Sequence, residues 1–402
     1  MVTPDTAETR PFPWVGLLTL SALIFVSVTS EFLPTGLLPD IAAELHVSES
    51  QVGLLITLFA GTVVLSAAPL TALTRNHSRK ALVVVVLLVF VFGNVLAAVA
   101  PTYGVLATAR VIGGLAHGLF WAVVGAYSAH LVPKHQIGRA VAVTGSGATA
   151  AFVFGVPLGT ALGHALGWRL AFAVIGAIIL VLIVAVLRLL PAVQHVDEVR
   201  TGEIPLPQGK DRSIPGIVFV CVVVVLLIGA HNVFFTYVAP YLIGPVGVAP
   251  GAVAGILFLY GGAGAVGLLL AGLFADRFPR SGLAVAIAAV ALSVLALGLF
   301  PAEPWAAMPA IVLWSIAFGG TPAMLQTRML HMASARTRDL ASAYLTTSFN
   351  IAIGGGALVG GILLDAFTVR ALPFADVAVS VVTIVVVLLG DAWLREHAKQ
   401  RV

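Results

Sequence analysis

Charge is what this sequence has least of. Asp, Glu, Lys and Arg make up 9% of its 402 residues, against about a quarter in a soluble domain, and that scarcity excludes a water-soluble globular protein. Cysteine is almost absent. The single Cys221 lies inside an apolar run, so there is no disulfide framework and no cluster of metal-binding thiolates, and it reads as a small buried apolar side chain. Catalytic signatures are missing too: there is no His-Glu-x-x-His zinc motif, no Gly-x-x-x-x-Gly-Lys phosphate loop, and no Cys or Ser with a convincing base partner. An enzyme is therefore not expected, nor ATP as energy source, nor a metal, cofactor or nucleic-acid partner.

What the chain has in abundance is apolar length, with 60% hydrophobic residues. A membrane-spanning helix needs about 20 mostly apolar residues. Twelve such segments fall at 14–37, 51–73, 80–100, 104–132, 138–163, 167–190, 215–243, 250–274, 281–300, 306–331, 339–364 and 373–393. The reading is an all-α membrane protein of twelve transmembrane helices. The first thirteen residues contain acids and prolines and do not resemble a signal peptide, so the first segment is expected to stay as a membrane helix. With the N-terminus inside, all but three of the 21 Lys and Arg lie in the tails or in the alternate connections that face the same side. Arg169 and Arg370 fall outside, and Arg110 falls within the fourth segment. Such sorting predicts an even number of spans with both termini cytoplasmic, in a bacterial cell membrane.

The longest polar break divides the chain. The expected organisation is a cytoplasmic tail 1–13, a six-helix bundle 14–190, a cytoplasmic linker 191–214 with mixed charge, a second six-helix bundle 215–393, and a tail 394–402. The halves correspond when shifted by about 200 residues. Arg79 pairs with Arg280, Arg139 with Arg338, His117-Gly118 with Gly319-Gly320, and Glu31 with His231, which argues for an internal duplication of the kind found in transporters.

Against this apolar background the polar residues stand out. Glu31 lies within the first segment, three residues before Pro34. A charge at mid-bilayer costs roughly 2.5 to 3.5 kcal/mol on insertion scales, so such a carboxylate faces a partner or a water-filled cavity. Pro34 cannot donate to the helix ladder and crowds the Ser30 carbonyl, which should loosen the helix beside Glu31. Low-dielectric surroundings disfavour the ionised carboxylate, making Glu31 a candidate proton carrier; packing against a neighbouring helix is the alternative. In the fourth segment Arg110, Gly114, His117 and Trp121 share a face. Arg110 needs a carboxylate, a carbonyl or water, and it either tunes Glu31 or holds backbone carbonyls. In the fifth, Gly155, Pro157 and Gly159 (with Gly163) offer a smooth groove and a kink. In the second half Phe235 and Tyr260 offer rings, and the polar His231, Asn232 and Asn350 interrupt apolar helices. Each could equally bridge helices, but as a set with His117 and Trp121 they offer hydrogen bonds and flat faces suited to a small, partly polar solute.

The connection after the eighth segment reads Gly272-Leu273-Phe274-Ala275-Asp276-Arg277-Phe278-Pro279-Arg280 and resembles the Gly-x-x-x-Asp-Arg-x-Gly-Arg motif of the major facilitator superfamily. Gly272 would let two helices approach closely, while Asp276 could pair with Arg277, Arg280 or a helix terminus and latch one side. The first-half counterpart, Thr71 to Lys80 with Arg79, has Arg75 where the family has Asp. Gly155-Val156-Pro157-Leu158-Gly159 is similar to the superfamily's antiporter motif, with Val156 inserted. Gly167-Trp168-Arg169 also fits the pattern, and Trp168 reads as an interface anchor. Ser30-Glu31-Phe32 with Gly36-Leu37-Leu38-Pro39, together with His117-Gly118 and Trp121, resembles the drug:proton antiporter group, including sugar-efflux, chloramphenicol and purine-nucleoside exporters. The resemblance implies a two-bundle fold with spans 1, 4, 7 and 10 around a central cavity. It further implies a carrier in the lipid bilayer that moves a small molecule against protons by alternating access, for which one cavity per chain makes a monomer sufficient. Glu31 and Arg110 would couple protons, His117, Trp121, His231, Asn232, Phe235, Tyr260 and Asn350 would hold substrate, and the proton gradient would supply the energy. A proton-coupled importer, an uncoupled facilitator and a non-transporting receptor are the alternatives.

Overall fold

The computed structural model describes residues 12–191, 211, 213–274, 281–334 and 336–399. All its regular structure is helical among these residues: α1 (Trp14–Gly36), α2 (Leu38–Leu45), α3 (Glu49–Thr74), α4 (Arg79–Ala98), α5 (Tyr103–His130), α6 (Ile137–Ala150), a π-turn (Ala151–Gly155), α7 (Val156–Leu166), α8 (Trp168–Leu189), α9 (Ile214–Phe235), α10 (Val238–Ile243), α11 (Val253–Phe274), α12 (Ser281–Leu299), α13 (Pro304–Gly319), α14 (Thr321–Met332), α15 (Arg338–Ala366) and α16 (Leu372–Lys399). Twelve helical spans among the described residues are long and apolar enough to cross a membrane, and the chain is a multi-pass membrane protein. Most of the expected linker, 192–210, lies outside the described residues.

Prolines decide where spans bend. The first span stops at Gly36 and resumes as α2, with Pro39 near its start. The seventh, expected as one helix over 215–243, is broken at Thr236–Tyr237, where Pro240 in α10 leaves the Thr236 carbonyl without its helical donor. These two breaks lie about 200 residues apart and extend the duplication from sequence to backbone. In the fifth span the chain widens into the π-turn immediately before Pro157, which accommodates the missing N–H without ending the helix. The tenth span, too, is interrupted, at Gly320 ahead of Thr321-Pro322.

Burial sorts the spans. α1 is enclosed along almost its whole length, whereas α8 leaves Leu180, Val181, Val184 and Leu187 exposed at helical spacing. Exposed apolar stripes of this kind are what a lipid-facing helix presents. Trp168 is fully buried, with its ring edge-on to Phe172, so it serves the core and not the interface. Its neighbour Arg169 pairs with Glu44 and donates to the Ala100 carbonyl at 2.7 Å, tying α8 to α2 and the end of α4.

The two bundles meet closely at the end away from the termini. Thr57 Oγ1 donates to the Gly354 carbonyl at 2.9 Å, Tyr237 Oη donates to the Ala357 carbonyl at 2.8 Å, and Tyr237 lies against Gly53, Gly360 and Gly361. Gly261 of α11 is pressed onto the Phe152 carbonyl of the π-turn. Toward the termini Leu73 on α3, Leu273 on α11 and Tyr344 on α15 are exposed.

Candidate transport site

The site begins with the carbonyl that Pro34 leaves free. Lacking an N–H, Pro34 cannot bond to Ser30 four residues back, and the vacated Ser30 carbonyl accepts Arg110 Nη1 at 2.8 Å. Nη2 of the same guanidinium donates to the Glu31 carbonyl at 2.7 Å. The planar fork thus grips two successive carbonyls of α1, and its face rests 4.3 Å from the Phe59 ring centroid of α3. Of the two readings of Arg110, the geometry shows the carbonyl-bound one: the guanidinium makes no ion pair with the Glu31 carboxylate, although its charge still acts on it.

The Glu31 carboxylate instead faces His117, with Oε2 3.5 Å from Nε2. Trp121, one turn further along α5, donates its indole N–H to that same Nε2 at 2.7 Å. An indole can only donate, so Nε2 carries the lone pair and the proton sits on Nδ1, 3.0 Å from Ser27 Oγ. His117 is therefore a neutral imidazole fixed in one tautomer. Ser30 Oγ donates to Asn94 Oδ1 at 2.9 Å, and Asn94 Nδ2 donates to the Phe90 carbonyl. Glu31, Arg110 and His117 are each at most 4% exposed.

Glycines hold α1 in this position. Gly155 lies on Thr29, Gly159 on Leu33 and Gly163 on Leu37, so α7 and the π-turn form the flat wall against which α1 is laid. Pro157 sits within this wall, and Gly114 and Gly118 do the same for α5 against Thr62 and Ser66 of α3.

A chain of rings crosses from one bundle to the other. Phe32 meets Phe152 at 5.0 Å and Phe152 meets Phe235 at 6.5 Å. Beyond them His231 stacks on Phe318 at 3.6 Å and on Phe235 at 4.9 Å, and Tyr260 stands 5.0 Å from Trp314. Within this set His231 Nδ1, Tyr260 Oη and Trp314 Nε1 are buried with no hydrogen-bond partner among the described residues. The site thus unites Glu31, Arg110, His117 and Trp121 with His231, Phe235 and Tyr260 on α1, α5, α9 and α11.

Other expected residues fall elsewhere. Asn232 Nδ2 returns to the Ile228 carbonyl at 2.8 Å, and its Cβ packs on Gly356 of α15. Asn350 Nδ2 likewise bonds back to Thr346, although its Oδ1 remains unpartnered. Among the described residues a Cβ on Gly272 would meet nothing within 4 Å, so no close helix approach is seen at that position. Arg79 makes no ion pair or side-chain hydrogen bond among the described residues, and Asp276, Arg277 and Arg280 lie outside them. Sequence reading passed over Ser27, Asn94, Trp314, Phe318 and the buried Asp376 of α16. Asn94 and Asp376 carried the signal that exposed Glu31, a lone polar residue in an apolar run.

Two bundles that pack tightly at one end, around a buried polar and aromatic centre, define a secondary transporter working by alternating access. The Major Facilitator Superfamily family model matches residues 20–333 and 220–402. The chain belongs to that superfamily, and it is a transporter and not an enzyme. Its fold is similar to the inward-facing, occupied structure of a bacterial homolog to the human lysosomal transporter Spinster, with TM-score 0.72, 17% identity and 98% of each chain covered. It is also similar to the nucleoside transporter NupG as its D323A mutant, with TM-score 0.73, 13% identity, and 94% of this chain and 99% of that one covered.

Proposed function

We propose that this chain is a proton-coupled exporter of a small neutral or weakly charged solute such as a sugar, a nucleoside or a drug, set in a bacterial inner membrane with both termini cytoplasmic. The observation that carries the reading is the Glu31 carboxyl. It is buried at the centre, 3.5 Å from an imidazole nitrogen already engaged by Trp121, and the neighbouring guanidinium is held by backbone. A carboxyl so placed can gain and lose a proton without dismantling an ion pair. In the outward-open state a proton from outside neutralises Glu31; after the bundles rock, the proton leaves to the cytoplasm as Glu31 returns to carboxylate. Solute crosses in the opposite direction.

The solute chemistry follows from the second bundle. His231, Tyr260 and Trp314 bring unpartnered polar atoms among flat ring faces, the pattern of a site for a partly polar, largely neutral molecule. Arg110, the cation at the centre, is committed to carbonyls, which disfavours a multiply charged anion.

The test is the internal pH of energised inverted vesicles when arabinose, other sugars, purine nucleosides or chloramphenicol are added. Wild type is expected to release protons with one class of solute, and Glu31→Gln to insert normally but release none. Counterflow of labelled solute without any pH change would establish an uncoupled facilitator instead.

A further inference from the structure

We propose that Asp376, on α16, is a second proton-binding carboxyl, housed in the second bundle and separate from Glu31. Asp376 is wholly buried. Its Oδ1 accepts from Ser380 Oγ, one turn along, at 3.0 Å, and its Oδ2 has no partner among the described residues. No described Lys or Arg pairs with it. A buried charge without a counter-ion is costly, whereas a carboxylic acid retains a hydroxyl that needs only one acceptor. A single spare oxygen, one hydroxyl donor on the other and no cation describe a site for a proton.

The surroundings are consistent with that and with little else. α16 packs against α9 and α12. From α9 the titratable groups are Cys221 and His231, whereas α12 and α13 contribute none along their described lengths. α11 contributes Tyr260, and α10 contributes Tyr241, whose hydroxyl is occupied by the Leu297 carbonyl at 2.7 Å. Arg370, before α16, and Asp365, at the end of α15, are exposed; Asp391, further along α16, pairs with Arg328. None of these bonds to Asp376. Tyr260 stands among the central rings, and its buried hydroxyl makes no hydrogen bond to Asp376. The step is a simple exchange: Asp376 gives up its proton as carboxylate and regains it from the side then open. Asp376 has no counterpart to Glu31 in the internal duplication, since a shift of about 200 residues brings it to Gly176.

The test uses infrared difference spectroscopy of the full chain in liposomes, in a Glu31→Gln background, across pH. A protonated-carboxyl band that titrates reversibly, disappears in Glu31→Gln/Asp376→Asn and persists, displaced, in Glu31→Gln/Asp376→Glu supports the proposal. The Glu variant keeps an acid at the site and guards against mere misfolding. Spectra identical with and without Asp376, or a band that responds to sodium and not to pH, would overturn it. In transport, Asp376→Asn with Glu31 intact is expected to move one proton fewer per solute, read from the reversal potential; unchanged stoichiometry contradicts the assignment. The spectrum requires no solute. If wild-type vesicles release no protons on solute addition, the exporter reading fails while the spectral result stands.

Discussion

The indole N–H of Trp121 decides which nitrogen of His117 is protonated. Replacing Trp121 with Phe keeps a ring on the same face of α5 but frees Nε2, and the imidazole is then expected to populate both tautomers. Nitrogen-15 shifts of labelled His117 should show one tautomer in wild type and a mixture in Trp121→Phe; an unaltered spectrum would mean that Ser27 alone sets the proton. Arg110 is a second residue-scale case. One of its two bonds reaches the Ser30 carbonyl, which Pro34 leaves without its helical donor, and a buried acceptor left unsatisfied costs about 1–3 kcal/mol. Arg110→Lys keeps the charge but cannot reproduce a planar fork. We expect Arg110→Lys to unfold at lower temperature in detergent and to lose most transport, showing that geometry and not charge is what α1 requires.

At the scale of elements, the wall that α7 and the π-turn offer to α1 makes a contrast between glycines. A Cβ on Gly159 would stand 2.6 Å from Leu33 Cδ1, and one on Gly155 would collide with Thr29, whereas one on Gly145 meets nothing within 4 Å. Gly155→Val is therefore expected to lower the unfolding midpoint by several degrees and to impair transport, and Gly145→Ala to leave both unchanged. Equal effects at the two positions would deny the wall its role. A different element contact depends on pH. The partly buried Asp211 carboxyl is held below its ordinary value, foremost by the Ser213 backbone N–H, then by Ser213 and Ser334 hydrogen bonding and by the Arg336 charge. Because the folded value is the depressed one, this contact contributes fully above the usual carboxylate range and is lost as pH falls through the folded value. A carbon-13 titration of Asp211 should have its midpoint below that of the same residue in an unfolded peptide, and Ser334→Ala should move it upward.

These elements also show what sequence can and cannot tell. The twelve spans were legible because apolar length is a local property, and Glu31 was legible because a carboxylate in such a run is conspicuous. The break at Thr236–Tyr237 was not, since Pro240 sits among residues apolar enough to continue a helix. The partners of Arg110 and His117 were hidden for another reason: Ser27 and Ser30 come from α1 and Phe59 from α3, and only packing brings them to α5. Asn232 and Asn350 looked like ligands because sequence shows an amide but not the i−4 carbonyl that satisfies it. Asp376 was missed through proximity to a span end, where a carboxylate attracts less notice than at mid-helix.

For the whole molecule, the decisive property is that the end away from the termini must open and close in each cycle. The structure places a probe there: an ideal Cβ on Gly361 of α15 would lie 3.5 Å from the Ser50 Cβ of α3, within the range that a disulfide spans, about 3.5–4.5 Å between Cβ atoms, once the Tyr237 hydroxyl, 2.7 Å from the same point, has shifted. The native Cys221, only partly buried on α9, would first be replaced by Ser to leave a single possible bridge. Oxidising Cys221→Ser/Ser50→Cys/Gly361→Cys should then tie the two bundles together at their closed end. If alternating access needs that end to part, transport stops on oxidation and returns on reduction, while a pair of cysteines placed within one bundle has no such effect. Transport that continues through the cross-link would mean that the seal across Ser50, Gly53, Tyr237 and Gly361 stays shut throughout the cycle. Solute would then have to leave by another route, and the tight packing of α3 on α15 would be a fixed hinge instead of a gate.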